Sequence, residues 1–497
     1  MRWNIVCGGP AGQGPNFIAN LISRGLMDSG FYVFASREYE SRIRGGHNYN
    51  LITFSDEPIY SNSPDIDILV ALDDLSESTH RNELKKNAII IKESKNVTAA
   101  GHVFKVLGIE FSILNAELKK LGKYSENLEE AKTGYGSEKR SLKLPKIRKA
   151  HNFRLMDGND AIAQGATESG LDFYYVYPIT PATGVLFSLA KNEAVSNYVT
   201  VQLEGEIAVV NAAIGSAITG AKTMIGTSGA GLDLMSESLS LAGGAQVPLV
   251  IYMGQRPGPA TGAATYTAQE DLSMVRHTGH GEFVRVIAAP GDPMEAMEKT
   301  SELFYLTQKY RIPGILLGDK HLADSYYPLS GKAKITKSKK TISWPSRFSS
   351  YTTNNKVIAD SSAKNVKEYT DRRYERYASL SNEINRMTPY KIHGKQASKN
   401  LVIGWGSTKG AIVDAISGLD CKFIQMIYLE PFSSNIIKEL KKAKNLIIVE
   451  NNKTSLLSSL IAEKTGIFIE DKNKILKYDG RPFMFEPLRD EIKKRLK

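Results

Sequence analysis

The sequence predicts an α/β protein built from three α/β domains, and three observations carry that prediction. The chain has 497 residues, which at ~150 residues per domain suggests about three. Short apolar runs rich in Val, Ile and Tyr alternate with stretches of helical spacing, the pattern of parallel strands covered by helices on both faces. Glycine-rich turns stand where several of these runs give way to helices.

The first domain is placed at 1–150. "WNIVCG" reads as a buried strand and "GGPAGQG" (Gly8 to Gly14) as a turn. A helix follows with Phe17, Ile18, Leu21, Ile22 and Leu26 at helical spacing and Gly30 as its stop. "YNLITFS", "DIDILVAL" and "AIIIKES" are further strands, and the polar, charged residues 116–150 read as a linker. The second domain, 151–325, contains the strands "FYYVY", "NYVTVQ", "AKTMIGTS", "VPLVIYM" and "GILLGD". Residues 326–392 have low apolar content and little periodicity and read as a connector. The third domain, 393–497, has the strands "NLVIGWGS", "KFIQMIYL" and "NLIIVENN".

Composition narrows the function class. The net charge is +11, with much of the excess in "KRSLKLPKIRKAH" (Lys139 to His151) and "GKAKITKSKK" (Gly331 to Lys340). These read first as solvated linkers. No aromatic interleaving or reader motif supports nucleic acid, and attraction of an acidic protein partner stays open. The N-terminus lacks the apolar core of a signal peptide, and no run approaches the ~18 apolar residues of a membrane span, so the expectation is a cytoplasmic chain without a membrane partner. The only cysteines, Cys7 and Cys421, lie in separate apolar runs. They exclude a disulfide framework and a Cys-ligated zinc or iron–sulfur site within one chain. If the protein transfers electrons through a cluster, another chain must carry it, and no metal site is expected here.

Two features of the first domain leave alternatives open. "GGPAGQG" is neither a P-loop, since no Gly-Lys-Ser/Thr follows, nor the dinucleotide fingerprint, since Phe17 fills its third glycine position. It is a tight strand–helix turn or an anion cradle. "SRIRGGHNYNL" (Ser41 to Leu51) combines two arginines, two glycines and His47, and is either a solvated loop or a holder of an anion.

Ligands of doubly wound sheets sit beyond the carboxyl ends of the strands, and three unusual loops of the second domain fall there. In "YPITPATG" (Tyr177 to Gly184), Thr180 is expected at the N-cap and Pro181 at the first position of the next helix. "GTSGAGLDLMSES" (Gly226 to Ser238) is glycine-rich. "GQRPGPATGAAT" (Gly254 to Thr265) carries Arg256, which can grip a carboxylate with two parallel hydrogen bonds or make a surface ion pair. In "LEGEIAVVNAAIGSAITGA", apolar residues recur at Ile207, Val210, Ile214, Ala217 and Ala221. Glu206 is the acid nearer that stripe, placed either for proton transfer or as a first-turn glutamate on the helix dipole.

These stretches resemble a known family. "YPITPAT", "EGEIAVVNAAIGSAITGAKTMIGTSGAGLDLMSESLSLAGGAQVPLVI", "GQRPGPATG", "HGEF" and "KYDGRPF" resemble the α subunit of 2-oxoacid:ferredoxin oxidoreductases, the 2-oxoglutarate and pyruvate synthase family. "GGPAGQG" and "RGGHNYNLITFSDEPIYS" resemble its γ subunit, so the chain is similar to a γ–α fusion. The resemblance implies a thiamine diphosphate-binding, transketolase-like pyrimidine-type middle domain and a transketolase C-terminal-like third domain. It implies CoA-dependent oxidative decarboxylation of a 2-oxoacid to acyl-CoA and CO2 with reduction of ferredoxin. A separate β subunit would then supply the diphosphate and Mg2+ half of the thiamine site and a [4Fe–4S] cluster. Glu206 aligns with the glutamate that bonds N1′ of the aminopyrimidine, with Tyr177 and Pro178 beside the cofactor. Thr180 aligns with the threonine that touches the substrate, and Arg256 with the arginine that grips its carboxylate. Ala260, and the pair Ala182-Thr183, depart from the small residues, often serine, usual in the family, and Pro10-Ala11 departs from its glycine-rich first loop. The alternatives are another thiamine diphosphate enzyme, of 2-oxoacid dehydrogenase or transketolase type, and a non-catalytic assembly subunit. The preferred 2-oxoacid is not legible.

Overall fold

The computed structural model describes residues 1–40, 45–145, 147, 153–341, 349–354 and 358–496. Arg42 and Arg44 of "SRIRGG" and residues 146 and 148–151 of the first basic stretch lie outside the described residues. The chain divides into two compact units. One comprises Met1–Met156, Ser325–Gly331 and Met484–Arg489, the other Asp157–Asp324, Lys332–Phe483 and Asp490–Lys497.

The first unit is a five-stranded mixed sheet of β1 (Arg2–Ala11), β2 (Tyr32–Tyr39), β3 (Gly45–Ser55), β4 (Ile66–Ala71) and β5 (Leu84–Lys92), ordered β2-β3-β1-β4-β5. The helix Pro15–Asp28 buries Ile18, Leu21, Ile22 and Leu26 against it, as their spacing requires, and Gly30 follows at φ 92°. The glycine run is not all turn. Gly8 and Gly9 lie inside β1, opposite Tyr49 and Asn48 of β3. A Cβ on Gly8 would fall 2.8 Å from Ser76 Oγ and 3.2 Å from His47 Cε1, so close packing asks for that glycine. The turn itself is Gly12 to Gly14, with φ of 97° and 82° at its two glycines.

The expected linker at 116–150 is helical over about half its length. Helices Phe111–Leu118 and Tyr124–Ser137 occupy it, and the second packs on the helix Asn96–Val106. A Cβ on Gly101 would lie 2.4 Å from Ala131 O and one on Gly134 2.0 Å from Thr98 O. Backbone meets backbone there without large apolar side chains, so hydrophobic periodicity does not report the pairing. A short strand, β6 (Arg154–Met156), ends this part of the unit.

The second unit begins with six strands: β7 (Phe173–Val176), β8 (Val199–Gln202), β9 (Thr223–Ser228), β10 (Leu249–Gln255), β11 (Val286–Ala288) and β12 (Pro313–Asp319). The chain then returns to the first unit as β13 (Tyr327–Leu329), antiparallel to β6. The remaining strands are β14 (Tyr390–Gly394), β15 (Asn400–Trp405), β16 (Lys422–Met426), β17 (Tyr428–Glu430), β18 (Asn445–Glu450) and β19 (Lys474–Leu476). They build a seven-stranded sheet, β17-β11-β12-β10-β9-β7-β8, and a five-stranded one, β14-β16-β15-β18-β19. Both are parallel except at one edge, where β17 and β14 run antiparallel to their neighbours. One apolar core joins them, from Ile251 and Ile315 to Ile403, Trp405 and Ile448.

The stretch expected as a featureless connector contains the helix Ala363–Arg386, which buries only Asn365, Leu380 and Ile384. Its charged sequence hides it from an apolar-period reading. Ser362 caps it, and Tyr369 and Tyr377 anchor it by hydroxyl bonds to Gly244 O (2.6 Å) and Glu430 Oε1 (2.5 Å). Among the described residues no helix is long and apolar enough to cross a membrane.

Candidate functional site

Strand register brings the three unusual loops to one edge. β10, β9, β7 and β8 are consecutive parallel neighbours, with Gly226 beside Val176, Gly254 beside Ser228, and Gln202 beside Val176. The loops after these strands therefore leave the sheet at one level, at its carboxyl end, where doubly wound folds hold ligands.

The first loop differs from its expected form. Thr180 is not an N-cap and Pro181 does not open the helix. Thr180, Pro181 and Ala182 form a turn after a cis Thr180–Pro181 peptide, and the helix spans Thr183–Asn192 with Ala182 at its N-cap. Backbone bonds shape this turn, from Thr183 N to Ile179 O (3.1 Å) and Val185 N to Ala182 O (3.2 Å). Asn159 braces it by donating to Pro181 O at 3.2 Å. Pro181 packs on the third loop's strand, where a Cβ on Gly254 would fall 2.6 Å from Pro181 Cγ.

Thr180 and Arg256 meet, but through the backbone. Arg256 Nη1 donates to the Thr180 carbonyl oxygen at 3.1 Å, fixing the guanidinium over the first loop. The third loop is held in turn from the segment that follows it. Glu270 accepts the Gly258 N–H at 3.0 Å, and Gln255, fully buried beside Arg256, donates to Gly318 O (3.1 Å) and accepts from Asp271 N (3.1 Å).

Glu206 opens the helix Glu206–Ile218, behind an extended Gly205. The helix buries Val209, Val210, Ala213, Ile214, Ala217 and Ile218, so the stripe lies one residue over from part of the expected set. Ile207 is 58% exposed, correcting its placement on the buried face. Glu206 is half-buried and Glu204 exposed. The expected second loop is a short helix, Gly229–Leu234, directly after β9, and it closes on Glu206, for a Cβ on Gly231 would lie 3.0 Å from Glu206 Oε1. A Cβ on Gly229, two residues earlier, would lie 3.0 Å from Asp271 Oδ2. The crevice thus runs from Glu206 past Gly231 and Gly229 to Asp271, and through Arg256 to Thr180. Tyr177, 40% exposed, and Pro178 stand at the end of β7 beside it.

Two features of the edge went unread in the sequence. The second loop looks merely glycine-rich, yet its glycines are the points of closest approach to two acids. Asp271 looks like the N-cap of Leu272–His277, but its side chain makes no cap bond. Burial pushes Asp271 up to about 7, with Glu270 and Asp233 adding to the rise and Arg256 opposing it. Ser228, at the end of β9, is fully buried, and its hydroxyl has no hydrogen-bond partner among the described residues. A separate cleft of about 330 Å³, lined by Arg276, Phe283, Arg285, Arg373, Tyr377 and Glu430 among others, shares no residue with this crevice. Its Arg276 is already gripped by both oxygens of Glu463, at 2.9 and 2.7 Å.

The chain resembles known proteins along its whole length. Residues 164–388 match the family described as pyruvate flavodoxin/ferredoxin oxidoreductase, thiamine diphosphate-binding, and residues 4–140 match pyruvate ferredoxin/flavodoxin oxidoreductase. The chain is 30% identical to the 2-oxoacid:ferredoxin oxidoreductase subunit alpha of Saccharolobus solfataricus, over all of this chain and 98% of that one. It is 29% identical to the 2-oxoglutarate synthase subunit KorA of Methanocaldococcus jannaschii, over 60% of this chain and 88% of that one. Its fold matches a 2-oxoglutarate:ferredoxin oxidoreductase from Magnetococcus marinus, solved with 2-oxoglutarate, coenzyme A and succinyl-CoA bound. The TM-score is 0.88 at 22% identity, with both chains fully covered.

Proposed function

The chain belongs to the 2-oxoacid:ferredoxin oxidoreductase α-subunit family, and on that premise we propose that it is the γ–α fused subunit of a CoA-acylating enzyme of this kind. The reaction proposed is oxidative decarboxylation of a 2-oxoacid with CoA, giving acyl-CoA and CO2 and passing the electrons to ferredoxin. The observation that carries the proposal is the convergence of Glu206, the start of the helix Gly229–Leu234 and the Arg256–Thr180 pair at one sheet edge.

The residues present suit a bound thiamine diphosphate on its pyrimidine side. Glu206 offers a carboxylate at a helix start, Gly231 keeps the space beside it clear, and the buried Ser228 hydroxyl lacks a partner among the described residues. When bound, the cofactor supplies the nucleophilic carbon and the electron sink for decarboxylation. The roles of this chain are then specific. Glu206 holds a proton at the aminopyrimidine N1′, with Tyr177 and Pro178 walling the ring. Arg256 grips the substrate carboxylate with its planar fork, and Thr180 fixes that fork through its carbonyl and lines the substrate position.

The chain supplies only half of such a site. Tyr177, Ile207 and Leu234 leave large apolar side chains exposed on the segments that bear the crevice, at 40%, 58% and 56%. Apolar surface around a crevice suits cover by a partner subunit. Cys7 and Cys421 are both buried, and burial pushes both thiols up, Cys421 to about 12. Two such thiols cannot furnish four thiolate ligands. We therefore assign the Mg2+–diphosphate half and the [4Fe–4S] cluster to a β subunit, and the complex to the cytoplasm.

The test is purification with and without a co-expressed β-type partner. The complex should reduce a viologen dye only when both a 2-oxoacid and CoA are present, and the chain alone should show neither turnover nor cluster absorbance. Glu206→Ala activity close to wild type would exclude the cofactor role. Arg256→Lys should raise KM for the 2-oxoacid at least about tenfold, because lysine cannot supply the bidentate fork. An unchanged KM removes the carboxylate clamp.

A further inference from the structure

Asp271 is positioned with more care than a helix-start residue needs. Its backbone N–H is held by Gln255 Oε1 at 3.1 Å, and Gln255 is the residue directly before Arg256. Its neighbour Glu270 accepts the Gly258 N–H of the Arg256 loop. Gln269, fully buried, is strapped on three sides: its side chain donates to Trp405 O (2.8 Å) and accepts from Asn451 N (3.0 Å), and its own N–H reaches Asn451 O (2.8 Å). The segment is thus fixed against the rigid sheet on one side and the Arg256 loop on the other.

The carboxyl group itself does none of the usual work of its position. It sits at the N-cap of Leu272–His277 without accepting a helix N–H. Among the described residues no hydrogen-bond donor reaches it. The backbone of Gly229 closes over it instead, with both carboxyl oxygens within 3.3 Å of the point a Cβ would occupy. The charged groups that bear on it are Arg256 from the third loop, Glu270 from its own segment and Asp233 from the second loop. It is a sheltered acid within the electrostatic reach of the cation that the proposed function assigns to the substrate.

We propose that Asp271 is a positioning residue of the carboxylate site, setting how strongly Arg256 attracts a 2-oxoacid by competing for its charge. The inference rests on the function proposed above. A carboxyl group without donors in a sheltered place favours its neutral form, and Asp271 is pushed up to about 7 by burial first and by its acidic neighbours second. In the neutral form it leaves the guanidinium its full charge. Once ionised it opposes an incoming carboxylate, so substrate binding weakens as pH rises through that value. The glycine at 229 is part of the device, because any side chain there presses on the acid.

The experiment uses the co-expressed complex and follows KM and kcat for 2-oxoglutarate and pyruvate from pH 6 to 9, beside calorimetric titration with oxamate, an unreactive carboxylate analogue. In the wild type, KM and the oxamate Kd should rise about tenfold across this range, the effect of one pKa unit of coupling, with the inflection near 7. Asp271→Asn should hold both near their low-pH values throughout, with kcat at low pH within about threefold of wild type. Gly229→Ala should move the inflection upward by shielding the acid further. A purely structural role would lower kcat at every pH and leave the shape of the KM profile alone. Identical KM and Kd profiles in the wild type and Asp271→Asn overturn the inference, and if that variant does not fold, an unmoved inflection in Gly229→Ala does so. Absence of 2-oxoacid-dependent turnover in a wild type that still binds oxamate strikes the proposed function instead, and the binding arm still decides the role of Asp271.

Discussion

Replacing Gly231 by alanine tests whether the second loop sets the position of Glu206. The new Cβ would stand 2.2 Å from Thr227 Oγ1, 2.9 Å from Glu206 Cγ and 3.0 Å from Glu206 Oε1. Ordinary contact begins near 3.4 Å, so Glu206 must retreat by roughly 0.5 Å and Thr227 by roughly 1 Å. Thr227 is 1% exposed and has nowhere to go, so the overpacking should cost ~1–3 kcal/mol. Glycine to alanine inside a helix returns about 1 kcal/mol, so the net loss of stability should be small, ~0–2 kcal/mol. The displaced carboxylate matters more, since a misplacement of about 1 Å can cost ~100-fold in rate and half of that about tenfold. The decisive comparison adds Thr227→Ala, which removes the worse clash and leaves the one with Glu206. The double variant should recover the wild-type melting temperature while kcat in viologen reduction stays about tenfold down. If stability and kcat recover together, the loop acts through packing alone and the positioning argument fails.

Two further outcomes follow from buried charge in the second unit. Glu295, 1% exposed, is held well below the usual carboxylate range by Lys409 and Lys391 against the cost of its burial, and Gln425 and Gly291 N donate to it at 2.6 and 2.8 Å. Lys409→Met together with Lys391→Met strands this acid and should cost about 3–5 kcal/mol, read as a large fall in melting temperature, whereas Lys409→Met alone leaves Lys391 at 2.8 Å and should cost less. His321 is buried and held down to about 3 by burial, with Lys320 adding to the effect. Between the ordinary 6.5 and that value the unfolded chain takes up a proton that the folded chain refuses. The stability from His321 is therefore complete above about 6.5 and falls by about 1.4 kcal/mol per pH unit below it. Asp271, raised in the fold, acts in the opposite direction below about 7, so the check is the difference between wild-type and His321→Gln melting curves from pH 7.5 to 5. Parallel curves would refute the assignment.

The sheet edge was legible because its loops break local rules in the sequence itself. Two prolines around a threonine, a glycine run after an apolar strand and an arginine beside a proline-glycine turn are all short-range signals, and the structure places all three loops together. What was misread was the manner of contact. Thr180 was expected to cap a helix with its hydroxyl, yet backbone bonds make the turn and its carbonyl receives Arg256. The charged helix Ala363–Arg386 and the glycine-mediated pairing of Asn96–Val106 with Tyr124–Ser137 were also missed, since neither advertises itself by apolar spacing.

The sequence by itself determined the α/β class, the alternation of strands and helices, the loops beyond the strand ends and the family, for these rest on local pattern and ordered motifs. Only the tertiary structure decided which acids matter. Glu206 lies two residues from Glu204 and Asp271 one residue from Glu270, carboxylates of similar standing in the text of the chain. What separates them is the approach of Gly231 and Gly229 from a distant loop. Burial and the field of Arg256 are properties of that through-space packing, and no pattern along the chain encodes them.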